Sequence, residues 1–314
     1  MRHSIGVDIG ATKMLAGIVR EDGVVLHRIR VNTPAHDGAQ VVRTLVTLLA
    51  ELQTCEVLKT ISLAGVGIGT AGQVDFVNGC VLSGTPNILN WANVELRKTL
   101  QPITGLPVWV DNDVNVQLLA EASLGVAVAK RHVVMLSLGT GIGGAAMMNG
   151  ELLHGSWGGA AEFGHMTVDF QGPLCNCGAR GCLELFASGA GIAAQMAQRL
   201  GLVEGQAKEL TGEMVFRKAK QGDVLANEVL DQAIAALTAA SVNLAHSFNP
   251  EMIVFAGGIM AEGNGALDRV RQAFAIHGIS SLLGTVTLAN ARFGSDAGLV
   301  GAALQPFHYH SHAR

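Results

Sequence analysis

Two stretches of this chain repeat one pattern. Residues 7–19 read VDIGATKMLAGIV and residues 136–148 read LSLGTGIGGAAMM. In each, an apolar strand runs into a turn containing glycine and threonine, and a second strand returns, so each is expected to form a β-hairpin. Successive backbone N–H groups of such a turn can cradle a phosphate. Asp8, at the end of the first strand, can hold Mg²⁺ through water. Neither turn is a Walker A loop, which needs G-x-x-x-x-G-K-[ST] leading into a helix. Taken singly, either hairpin is explained as well by a plain turn. Two of them, roughly 130 residues apart, mark an internal duplication, and duplicated halves that each offer a Gly-rich turn imply a nucleotide cleft between two lobes.

A second constraint lies in residues 162–184, EFGHMTVDFQGPLCNCGARGCLE. Three of the chain's five cysteines fall within eight residues here, beside a Glu-x-x-His pair. His165, Cys175, Cys177 and Cys182 supply one imidazole and three thiolates, a full tetrahedral set for Zn²⁺ with no position left for water. A closed site of that kind is structural. Glu162 and Glu184 are not needed by the metal and are free to face something else. In a helical turn Glu162 and His165 share one face, which puts metal and ligand duties side by side. The bland alternative is a chance cluster, or a disulfide pair with a bystander histidine.

The rest of the chain reads as alternating strands and helices. Apolar spacing predicts helices over 38–54, 94–100, 116–124, 188–200, 211–220, 223–248, 264–274 and 296–303. Strands are expected at 61–69, 106–110, 132–138, 252–256 and 286–289. The strand at 106–110 ends in Asp111-Asn112-Asp113-Val114-Asn115. Carboxylates and amides at the C-terminal end of a sheet strand are where open α/β folds place ligands, although Asp and Asn are also favoured at a helix start for capping alone. Asn87 sits in a polar loop closed by Trp91, which an ordinary connector explains equally. Gly257 and Gly258 follow another strand and either admit a nucleotide or simply turn the chain.

Length and composition bound the partners. The 314 residues suffice for two domains and a large core. Glycine and alanine interrupt every apolar run before it reaches the ~18–20 residues of a membrane span, and the N-terminus enters a strand without a leader segment. A net charge of −4 gives no electrostatic footprint for nucleic acid. Thiolate metal ligands, with Cys55 and Cys80 left over, suit a reducing, cytoplasmic compartment. The tail FHYHSHAR is expected to be a frayed end without a function.

With these residues laid out, the chain resembles the ROK-family sugar kinases, most similar to bacterial ATP-dependent glucokinases, over almost its whole length. The most specific match is E-x-G-H…C-x-C-G-x-x-G-C-x-E, supported by D-I-G-x-T-K and N-D-x-N. The resemblance implies a two-lobed actin/hexokinase-like (ribonuclease H-like) α/β fold with the active site in the interdomain cleft. The expected domains are 1–112 plus 299–314 and 113–298.

Carried over position by position, Asp113 resembles the catalytic base. Asn87, Asn112, Asp113, Glu162, His165 and Glu184 resemble the sugar-binding set, with His165 serving sugar and zinc from its two ring nitrogens. Asp8, Gly10, Thr12 and Lys13 match the first phosphate loop, Thr140 and Gly141 the second, and Gly257 and Gly258 the nucleotide approach. Ala11 departs from the family's usual glycine, and a Cβ there is tolerable only at negative φ. The implied activity is ATP-dependent phosphorylation of a hexose, glucose first, with Mg²⁺ and structural Zn²⁺ as cofactors. N-acetylglucosamine, N-acetylmannosamine, fructose or allose are alternatives. A sugar-sensing regulator is disfavoured, because such relatives carry an N-terminal helix-turn-helix domain and here the first strand begins near Ser4. The resemblance further implies a homodimer or homotetramer acting in carbohydrate metabolism, with neither nucleic acid nor membrane as partner.

Overall fold

A computed structural model describes residues 1–203, 209–261 and 263–310. The chain divides into two compact units, the first comprising 1–129, 152–160 and 292–314, the second 130–151 and 161–291. The boundary expected at 112/113 therefore lies inside the first unit. Its physical cause is helix α3 (Asp113–Leu124), which packs on the long C-terminal helix instead of leaving with the second half.

The first unit is built on a five-stranded sheet of order β3-β2-β1-β4-β8. These strands are β1 (His3–Ile9), β2 (Lys13–Arg20), β3 (Val25–Asn32), β4 (Leu63–Thr70) and β8 (Val108–Asn112). β1, β2 and β3 pair antiparallel, whereas β4 and β8 run parallel to β1. β1 and β2 are buried almost throughout, as unbroken apolar runs in mid-sheet should be. β3, an edge strand, alternates half-buried and exposed residues with period two. A small side sheet holds β5 (Gln73–Asp75), β6 (Cys80–Ser83) and β7 (Val94–Glu95). The helix expected at 94–100 begins as that last strand and becomes α2 (Leu96–Thr104).

Helix α1 (Gly38–Gln53) is capped by the Asp37 side chain, which accepts the Ala39 N–H at 3.1 Å. Its Val41, Leu45, Leu48, Leu49 and Leu52 form the buried stripe that the sequence spacing predicts.

The second unit repeats the architecture with order β11-β10-β9-β12-β13. Here β9 (Val133–Leu138) and β10 (Ile142–Met148) form the hairpin, β11 (Glu151–Leu152) is the edge, and β12 (Met252–Ala256) and β13 (Thr287–Asn290) lie parallel to β9. Both hairpins thus occupy the same places in two sheets of one topology, which is the duplication read from the sequence. The helices are α4 (Leu183–Ala187), α5 (Gly189–Arg199), α6 (Gly212–Lys220), α7 (Val224–Phe248), α8 (Ala266–Phe274) and α9 (Ser280–Leu283). α7 ends where Asn249 turns to φ 42° ahead of Pro250.

The C-terminal helix, α10 (Ala297–His310), closes the first unit. It lies so near the sheet that a Cβ on Gly67 would stand 1.8 Å from the Ala302 carbonyl oxygen. Ser4 Oγ donates to the Ala303 carbonyl and buried Gln305 to the Ile68 carbonyl. Those bonds carry the helix well past the expected end at 303, and past Pro306. Of the tail expected to fray, 307–310 are helical, and 311–314 lie outside the described residues. Among the described residues, no helix is long and apolar enough to cross a membrane.

Candidate active site

On the first unit, the turn between β1 and β2 is closed by the Gly10 N–H on the Lys13 carbonyl, 3.1 Å. Thr33 Oγ1 braces it by donating to the Gly10 carbonyl at 2.7 Å. Ala11 is not among the residues with positive φ, so its Cβ is accommodated. Asp8, at the head of this turn, has its pKa raised to about 6, chiefly by burial and secondarily by the charge of Asp113, with Lys13 opposing. That coupling brings Asp8, Lys13 and Asp113 into one electrostatic neighbourhood. A hard divalent cation would relieve the carboxylates there, so the residues fit Mg²⁺.

Asp113 opens α3, in the first turn of the helix. Asn112, the preceding residue, proves to be the N-cap. Its Oδ1 accepts the Val114 N–H at 2.8 Å and, more weakly, the Asn115 N–H, while Nδ2 donates to the Gly72 carbonyl. Capping is therefore real, and one amide hydrogen of Asn112 is left to offer. Asn87 is exposed on its loop, and Trp91 is a buried anchor whose Nε1 donates to Thr70 Oγ1 at 3.0 Å. Sequence reasoning passed over one partner here. Asp111, 1 % exposed, binds His154 Nε2 at 2.8 Å, and nothing in a lone histidine on a loop signals such a pairing.

On the second unit, Glu184 Oε2 accepts the Ile142 N–H at 2.8 Å, just after the Gly139-Thr140-Gly141 turn. A Cβ on Gly141 would fall 2.4 Å from that oxygen, so the glycine is what lets the carboxylate in. The Gly189 and Ala190 N–H groups, at the start of α5, donate to the Gly139 and Thr140 carbonyls. A cavity of about 910 Å³ opens beside this turn, lined among others by Thr140, Gly189, Thr211, Gly212 and Gly258. That size suits a nucleoside. Gly258 faces the cavity. Gly257 does something different: at φ 92°, its added Cβ would stand 2.1 Å from the Leu138 carbonyl, so it lets β12 end against β9. The Thr211–Gly212 wall was legible only as an ordinary helix start, since glycine at a capped N-terminus carries no ligand signal of its own.

His165, Cys175, Cys177 and Cys182 converge, with their ligand atoms all within 4.8 Å of one another. Cys177 Sγ lies 3.5 Å from Cys182 Sγ, and Cys175 Sγ 3.7 Å from His165 Nδ1. A tetrahedral ion with bonds of about 2.3 Å to sulfur separates its ligands by about 3.8 Å, so the four residues fit zinc. All five cysteines are free. Burial, then the neighbouring thiols, pushes Cys182 up to about 12, whereas a hydrogen bond from the Ala179 backbone lowers exposed Cys177. As zinc ligands the cysteines would be deprotonated, and the metal's charge would offset theirs. The Glu162–His165 turn is 3₁₀ (Phe163–His165), in which positions i and i+3 eclipse. Since Nδ1 faces Cys175, Nε2 is the nitrogen left over, and exposed Glu162 lies three residues before it.

Residues 4–305 match the model of the ROK family. The chain belongs to the ROK family. It is 35 % identical over 308 residues to a glucokinase of Thermotoga maritima, covering 95 % of each chain. It is 30 % identical to an N-acetylmannosamine kinase of Escherichia fergusonii, covering 96 % of this chain and 97 % of that one. Among solved structures, a ROK family glucokinase from Streptomyces griseus in complex with glucose and AMPPNP superposes with a TM-score of 0.77. It is 34 % identical and covers 96 % of this chain and 98 % of that chain. The two-lobed, actin-like α/β fold expected from the sequence is thereby established.

Proposed function

We propose that this ROK protein is an ATP-dependent hexose kinase that converts glucose to glucose 6-phosphate with Asp113 as general base. The observation that carries it is Asp113 itself: a carboxylate at a helix start, electrostatically coupled to Asp8 at the phosphate turn. A sugar hydroxyl is a poor nucleophile, and a carboxylate within hydrogen-bond reach takes its proton as attack develops. Lys13 and the backbone N–H groups of Ala11 and Thr12 then face the charge of the transferred phosphoryl group, as those of Thr140 and Gly141 do on the second hairpin. Mg²⁺, held at Asp8, would neutralise phosphate charge.

Asn87, Asn112, Glu162, His165 and Glu184 are the acceptors and donors offered to a neutral polyol, and the cavity beside Gly258 receives the nucleoside. Zinc on His165 and the three cysteines would rigidify the segment that carries Glu162 and Glu184, the preorganisation that positioning demands. A cytoplasmic enzyme feeding glycolysis, as a homodimer or homotetramer, is the setting this reading implies.

Glucose is favoured over N-acetylmannosamine by the higher identity to the glucokinase and by the loop around Asn87. The test is a coupled ADP-release assay with MgATP and, separately, glucose, N-acetylglucosamine, N-acetylmannosamine, fructose and allose. Turnover on glucose alone is expected. Turnover only on an N-acetyl sugar would keep the mechanism and overturn the substrate, and turnover on none would overturn the kinase.

A further inference from the structure

Residues 152–160 group with the first unit although the sequence on both sides belongs to the second. His154 marks what this short excursion does there. Its Nε2 meets Asp111 Oδ2 at 2.8 Å, and its ring stacks on Phe76 with centroids 4.2 Å apart and planes 17° from parallel. Backbone packing secures the same stretch, since a Cβ on Gly158 would lie 1.7 Å from the Val74 carbonyl. The excursion ends immediately before Ala161 and Glu162.

Asp111 is not a spare carboxylate. Its other oxygen, Oδ1, accepts the Asn112 N–H at 2.7 Å and the Asn115 Nδ2–H at 2.7 Å. It therefore grips the chain one residue before Asp113 and again two residues after it. If the Asp111 carboxylate turned, both grips would loosen together. The contact that fixes its rotation is on the opposite oxygen, and that contact is His154.

We infer that His154 is a positioning residue: through Asp111 it holds the Asn112–Asn115 turn so that the Asp113 carboxylate is presented in one orientation. This role rests on Asp113 being the base. A misplacement of about 1 Å can cost on the order of 100-fold in rate. The loss should thus appear chiefly in turnover, because the Asn112 side chain is also held by its own bonds to the Gly72 carbonyl and the Val114 N–H.

Amide substitution gives a graded test. Glutamine places its Nε2 at about the reach of the histidine Nε2, whereas asparagine stops an atom short. Full-length wild type, His154→Gln, His154→Asn and His154→Phe are compared for kcat, for glucose affinity by calorimetry, and for melting temperature. His154→Phe keeps a ring over Phe76 but no donor. The expected result is a kcat at least 10-fold lower in His154→Asn and His154→Phe, glucose affinity within about 3-fold of wild type, and recovery to within about 3-fold of the wild-type kcat in His154→Gln. Should His154→Phe fail to fold, the Gln/Asn pair decides alone. Equal turnover in all variants would overturn the inference, as would His154→Gln being as impaired as His154→Asn, or a loss confined to glucose affinity. Failure of the wild type to phosphorylate any hexose would strike the assignment of Asp113 instead, so the two failures are distinguishable.

Discussion

The two hairpins share a place in their sheets but not a chemistry. The β1–β2 turn is charged: Asp8 and Lys13 flank it, and Asp113 is coupled to it. The β9–β10 turn is neutral and is held from outside, by Glu184 on the Ile142 N–H and by its carbonyls on the Gly189 and Ala190 N–H groups. Duplication preserved strand order because the sheet's hydrogen bonding and buried faces tolerate little else. The turns contribute almost nothing to the core, so they were free to diverge. In the proposed scheme, one half serves proton removal and charge neutralisation, and the other supplies the nucleoside cavity and the metal loop.

That division of labour breaks most visibly at Asp113. Asp113→Asn should lower kcat by about 10³-fold or more, the range general-base removal reaches, while glucose affinity by calorimetry stays within a few-fold. Substantial activity in this variant would move the base elsewhere. The next largest effect belongs to the second unit. Zinc content should be about one ion per chain. Cys175→Ser should lose it, open 166–182 to protease and weaken glucose affinity by about 10–100-fold. An ion-free wild type with an intact protease pattern would show that the segment holds itself.

These large effects fall on residues that the sequence announced, and the reason is physical. A metal demands particular donor atoms at close spacing, and a hairpin demands glycine at its turn, so both leave local signatures. The sheets were equally legible, because buried strands must be apolar and the two apolar hairpins align. The cavity wall at Thr211–Gly212 and the His154–Asp111 pair were not. Asp111 and His154 lie far apart in sequence, as Thr211–Gly212 does from the Thr140, Gly189 and Gly258 that complete its cavity, and each alone looks like a helix cap or a surface histidine. Asn112 shows the opposite limit. Its residue type was equally suited to capping and to a ligand, and the structure gives it the first duty without removing the second.

A third prediction sharpens the charged half. Asp8 has a pKa raised from 3.8 to about 6, so its contribution to stability is present below the unfolded value and is lost as pH rises through about 6. At pH 8 without Mg²⁺, Asp8→Asn should be more stable than wild type by about 1–3 kcal/mol. The gap should close toward pH 4 in denaturant titrations, and turnover should fall sharply at every pH. A variant less stable than wild type at pH 8 would mean that Lys13 outweighs burial and Asp113 together.

The smallest effects compare the turns directly. In the neutral turn, a methyl on Gly141 would meet the Glu184 carboxylate, the far end of a flexible side chain that can swing aside. Gly141→Ala should therefore break the bond to the Ile142 N–H without unfolding the unit. Such a hydrogen bond to a charged group contributes about 1.5–3 kcal/mol. The KM for ATP or glucose should rise several-fold, with the melting temperature lowered by a few degrees. In the charged turn, Ala11 is not at positive φ, and the Gly10–Lys13 bond is already made. Ala11→Gly therefore relieves nothing and adds only unfolded-state entropy, about 0.4–1 kcal/mol of lost stability, with the KM for ATP within about 2-fold. If Ala11→Gly instead improved ATP affinity strongly, the charged turn would be the strained one. The neutral turn would then be the better-formed phosphate loop, with the division of labour between the halves reversed at the phosphates.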